Sequence, residues 1–149
     1  MSTKMVAVTY DCLTLAKEQL DTALALFLGN KNYSSAITLA GAAEVIFGCA
    51  LIARGRASAL ESSYGSIAEI HRTLYGTELN KKEFVSKENL ARDALKHLQE
   101  NKGSTIVIDL EEAACWMLVR AIHNGSKLGF EFERCHEFDN WFYENIVGL

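Results

Sequence analysis

Between residues 34 and 54 the chain reads SSAITLAGAAEVIFGCALIAR, apolar and small side chains broken internally by a single charge, Glu44. The run is too long for a strand, holds no proline and is apolar on nearly every side, the pattern of a helix surrounded by other helices. Ala40, Gly41, Ala42, Ala43 and Gly48 let neighbouring backbones approach, while Ile37, Leu39, Val45, Ile46, Phe47 and Leu51 fill the gaps. About twenty apolar residues also suffice to cross a bilayer. Glu44 at the centre, costing at least about 2.5 kcal/mol on insertion scales, and the many Ala, Gly, Ser and Thr argue against that, so no membrane span is expected.

The remaining pattern is helical on both sides of this run. Leu13, Ala16, Leu20, Ala23, Leu24 and Phe27 recur every three or four residues and predict a first helix over about 11–28, stopped by Gly29 and Asn30. A short turn, with Ser34 or Ser35 as N-cap, makes it antiparallel to the central helix. Gly55 closes the central helix, and RASALESSYGS after it reads as a mobile connection able to form a turn of helix. A short helix follows over 66–75, with Ile67, Ile70 and Leu74 facing inward and His71 at the margin; Gly76 ends it. TELNKKEFVS is then a polar linker. Ser86 caps a helix over about 87–101, with Leu90, Ala91, Ala94, Leu95 and Leu98 as its apolar stripe and Gly103 as its stop. Ile106, Val107 and Ile108 form an extended crossing before Asp109 and Glu112 open a capping box. The helix they start, over about 110–123, buries Ala113, Ala114, Trp116, Met117, Val119 and Ala121 and stops at Gly125. The aromatic tail with Phe130, Phe138, Trp141 and Phe142 predicts one more helix, covering the core or a partner subunit. The expected fold is all-α, a bundle of five to six helices around residues 34–54, with residues 1–149 as one domain.

Composition narrows the class. The 149 residues carry a formal charge of −4, which disfavours broad electrostatic binding of nucleic acid. No proline occurs, as suits interior helices. Cys12, Cys49, Cys115 and Cys135 form no CxxC pair, and three lie in apolar stretches, so reduced and buried thiols in a cytoplasmic protein are expected. Residues 1–8 lack an export signal.

No GxGxxG, GxxxxGK[ST], GxSxG, HExxH or EF-hand loop is present, and Glu133 with His136 is a lone Glu-x-x-His pair. Chemistry centres instead on R-D-A-L-K-H, residues 92–97. Asp93 and His97 are neighbours at i and i+4, so the carboxylate can orient the imidazole. Arg92 and Lys96 form a basic pair on the adjoining face, Lys96 being the expected binding residue. Cleavage of a phosphodiester by its own 2′-hydroxyl needs a group titrating near neutrality and a cation on the phosphate, with no metal and no cofactor. The motif resembles that of the HEPN superfamily, all-α proteins with R-x4-6-H and a polar residue after the arginine. The resemblance implies a metal-independent endoribonuclease of the toxin or defence kind, a homodimer whose two motifs meet across the interface, with RNA as substrate and an antitoxin or other protein as partner. On it Arg92 is the phosphate-contacting arginine, Asp93 the polar residue and His97 the catalytic histidine. Other members of the superfamily have lost the motif and only bind, so the alternative is a catalytically silent helical module for a protein or ligand. Glu44 is read as a structural carboxylate paired with a cation from another helix, Arg92 being one candidate. His123, near a helix C-terminus, is expected to favour its charged form.

Overall fold

In the computed structural model, which describes residues 3–98 and 103–148, the chain is built from α-helices and turns. Helix α1 (Cys12–Ala25) starts where the Asp11 carboxylate accepts from Leu13 N at 2.9 Å. It runs into a π turn over Leu26–Asn30, after which Lys31 in the left-handed region (φ 52°) and Asn32 reverse the chain. Helix α2 (Tyr33–Ala53) is the predicted central helix, capped by the Asn32 side chain and not by Ser34 or Ser35. Leu20, Leu24 and Phe27 of the first hairpin arm meet Ile37 and Phe47 of α2 in one apolar core.

The other side of that core is helix α6 (Leu110–Lys127), opened as predicted by Asp109, whose side chain accepts from Glu112 N at 2.9 Å. Its Cys115, Leu118 and Ala121 are fully buried. Gly125 does not end the helix. It lies inside it, buried, because a Cβ there would strike the Phe132 ring and sit 3.0 Å from Phe47. Glycine is required by close approach, and the chain turns only at Gly129 (φ 91°). Asn124, also fully buried, donates to Glu44 O (3.2 Å) and accepts from Ala59 N (2.7 Å), tying α2, α6 and the start of α3. Helix α7 (Cys135–Phe142) ends in a π turn over Tyr143–Val147 and sets Phe138 and Trp141 against Phe27, with centroids 5.6 and 4.6 Å away.

The middle of the chain departs most from expectation. Helix α3 covers Ala59–Tyr75, so the stretch read as a mobile connection is largely helical, started by Ser58, whose hydroxyl accepts from Glu61 N. Only Ala59 and Ala68 of α3 are buried, and Ile67, Ile70 and Leu74 face solvent. The linker after Gly76 holds another helix, α4 (Lys81–Glu88), capped by Asn80, with Phe84 as its one buried side chain. The predicted 87–101 helix is divided: Asn89 breaks the path, and α5 runs only over Leu90–Lys96. Ser86 therefore caps nothing. The intended stripe is open to solvent at Leu90, Leu95 and Leu98. The expected end of that helix, 99–101, lies outside the described residues. Dividing and adding helices in this way raises the count among the described residues to seven. Ile106 and Val107 form the exposed extended crossing.

The thiols differ from one another. Cys12 and Cys49 are exposed, Cys135 is half-buried and Cys115 is buried, correcting the expectation that thiols in apolar stretches are covered. Burial, reinforced by Glu112 and Glu111, pushes the Cys115 thiol up to about 12. In a stopped thiol-probe assay, Cys12 reacts first, Cys135 lags, and Cys115 reacts only after denaturant is added; equal rates at these three would contradict this packing. Helix α2 is long and apolar enough to cross a membrane, with mean hydropathy 2.0, and here half of its most apolar window is buried in the fold.

Candidate functional site

The R-D-A-L-K-H segment sits on α5, a helix of seven residues resting on α2. What seats it there is Arg92. The aliphatic stem of Arg92 lies over Gly41 so closely that a Cβ at Gly41 would be 2.8 Å from Arg92 Cδ. Its guanidinium turns inward, with Nη1 3.4 Å from Glu44 Oε2, and donates sideways from Nε and Nη2 to Asp93 Oδ1 at 3.2 and 3.3 Å. Glu44 has the expected cationic partner and a second, stronger one. Arg120 of α6 donates from Nη2 to Glu44 Oε1 at 2.9 Å and from Nη1 to Glu88 O at 3.1 Å. One buried carboxylate thus draws α2, α5 and α6 together, and Arg120 also holds the end of α4. Breaking the pairing would strand charge in a site of low polarity.

Asp93 and His97 lie on the other side of α5. The helix ends at Lys96, and His97 is extended (φ −129°, ψ 126°), with its amide donating to Asp93 O at 2.8 Å. Both side chains line one open hollow of about 280 Å³ with Ser86, Ser104 and Thr105. Lys96 is exposed and does not join the guanidinium of Arg92 in a basic face, because Arg92 is committed to α2. Asp93 therefore links the two parts: it accepts from Arg92 and shares the hollow with His97.

Beyond Leu90 a second hollow, about 290 Å³, opens between α5 and α6 under Trp116, which is 45 % exposed and not buried as expected. Its wall carries Glu88, Asp109 and Glu112, offset in part by Lys87 and Arg120. His123 lies on neither of these hollows, and burial followed by Lys127 lowers its pKa below the ordinary imidazole range, the reverse of what a helix C-terminus favours. The reason is that α6 continues for another turn past it. Among the described residues, no three His, Cys, Asp or Glu side chains converge to hold a metal ion.

Arg120 escaped the sequence reading. Its signal was present: Arg120 and Asn124 stand at i and i+4 on the helix that carries the apolar Met117 and Ala121, where polar side chains need buried partners. Compared with protein families, with curated proteins and with solved structures, the chain finds no match.

Proposed function

We propose that this protein is a metal-independent endoribonuclease of the HEPN type, cutting RNA from the hollow that Asp93 and His97 share and working as a homodimer. The observation that carries the reading is the linkage of all three motif side chains: Arg92 donates to Asp93, and Asp93 and His97 line the same open hollow. His97, exposed at the end of α5, is placed to accept the proton of a ribose 2′-hydroxyl as its oxygen attacks phosphorus. The bond to the 5′-oxygen breaks, that oxygen takes up a proton, and a 2′,3′-cyclic phosphate remains. On this reading Arg92 must turn from α2 to reach the phosphate, at a lower cost than Arg120 would meet, because its bond to Glu44 is the longer of the two and Arg120 still neutralises that carboxylate. A cytoplasmic setting with reduced thiols belongs to this reading.

A second reading, a catalytically silent module that binds a protein or ligand, has its own support in the inward turn of Arg92, which makes the arginine a structural cation. RNA cleavage in excess EDTA separates the two. We expect cyclic-phosphate products from the wild type and a rate about 100-fold lower or less for His97→Ala, the usual worth of a general acid or base. His97 is exposed, so the variant keeps its fold. Equal cleavage by both would remove His97 from the chemistry, and no cleavage by a folded wild type would leave the binding module.

A further inference from the structure

Helix α2 leaves one side uncovered. Thr38, Ala42, Val45, Cys49 and Ile52 are exposed, Val45 by 44 % and Ile52 by 58 %, whereas every residue between them is buried or half-buried. Their spacing alternates four, three, four, three, the a/d repeat of a helix-pair seam and not the broader stripe of a helix facing a core. At 1.5 Å per residue the seam is about 21 Å long. It contains no charge. Leu26 and Leu95 flank its first half, where with Thr38 and Leu39 they line an open hollow of about 530 Å³.

We propose that this face is the seam of a homodimer, with the α2 helices of two copies packed antiparallel about a two-fold axis at Val45. The positions themselves choose the occupant. Around Val45, Thr38 falls opposite Ile52 of the partner subunit and Val45 opposite Val45 of the partner subunit, while Ala42 comes within one residue of level with Cys49 of the partner subunit. Each layer then joins a smaller side chain to a larger one or two of middle size. A parallel pair would stack alanine on alanine and isoleucine on isoleucine, alternately leaving gaps and crowding. An antiparallel pair also sets each helix N-terminus beside a C-terminus, which the backbone dipoles favour. Self-complementarity is what an isologous interface demands and what an unrelated peptide would not. A stable dimer covers about 800 Å² on each subunit, and the apolar flanks at Leu26, Leu39 and Leu95 extend the five seam residues toward that area.

The inference rests on the nuclease reading only in expecting two subunits; the seam stands on α2 alone, and its test reads mass and not cleavage. Light scattering gives the wild type twice the mass of one chain, and Val45→Lys and Ile52→Lys the mass of one, with helical circular dichroism unchanged because both side chains lie on the surface of the subunit. In a Cys12→Ser/Cys135→Ser background, Ala42→Cys cross-links two chains through Cys49 under mild oxidation, and Cys49 alone does not. A wild type of single-chain mass, or lysine variants that remain dimeric, overturns the seam. Cys49 linking to itself overturns the antiparallel order. A dimer that cuts no RNA condemns the nuclease and keeps the seam, and a monomer that cuts RNA does the opposite.

Discussion

Glu44→Gln lowers the unfolding free energy by about 3 kcal/mol, the lower end of the cost of removing one partner from a buried ion pair. Glu44 is 4 % exposed, and its carboxylate answers two guanidiniums, Arg120 at 2.9 Å and Arg92 at 3.4 Å. The amide keeps the shape and one acceptor but leaves two largely covered cations facing each other. For a chain of this length the loss corresponds to a melting temperature lower by about 10 °C. Urea unfolding followed by circular dichroism checks it, and a change below about 1 kcal/mol would mean that water reaches the three groups well enough to replace the pairing. Replacing Glu44, Arg92 and Arg120 together by methionine removes the charges along with their solvation penalty, so the triple variant recovers most of the lost stability.

Gly125→Ala destabilises by about 2 kcal/mol, although alanine is the better helix former by roughly 1 kcal/mol. The added methyl would lie 2.9 Å from Phe132 Cε2 and 3.0 Å from Phe47 Cε2, both rings in the packed core. Gly65→Ala is the internal comparison. Gly65 stands in the middle of α3 with nothing within 4 Å of the new methyl, so the same change there stabilises by about 0.5–1 kcal/mol. Opposite signs at two helical glycines identify close packing as the cause. If both substitutions stabilise, the Phe132 ring moves aside freely and the contact is not holding α6 to the aromatic segment.

The contrast between these two glycines also shows what could be read from the residues alone. Helices α1, α2 and α6 were legible because their apolar spacing is long and regular and, for α6, because Asp109 stands where an N-cap belongs. Gly125 misled because a glycine late in a helix reads as a stop, while its true reason is the Phe132 ring, seven residues on in sequence and distant in pattern. The 87–101 segment misled differently. Its Leu90, Ala94 and Leu98 repeat like a buried face, but Asn89 divides the helix, and Arg92 docks through its stem and charge where an apolar side chain was expected. Of the candidate site, Asp93 and His97 line one hollow, but His97 leaves the helix as an extended residue and no hydrogen bond joins its ring to the Asp93 carboxylate, so the i, i+4 spacing misled about their geometry. The inward turn of Arg92 was foreshadowed only by the need of Glu44 for a cation, and Arg120, lying 76 residues from Glu44, required the tertiary structure.

The aromatic clasp of Phe138 and Trp141 on Phe27 bears on how this chain is made. Glu133 N donates to Asp21 at 2.9 Å across 112 residues, and the first hairpin arm is sealed by rings that leave the ribosome long after it. During synthesis α1 and α2 must wait with their apolar faces uncovered while α3 to α5, which bury few residues, emerge and offer little cover. Closure of the core thus waits for the aromatic segment that follows α6, and a nascent chain stalled after α5 carries its most apolar helix, α2, in the open.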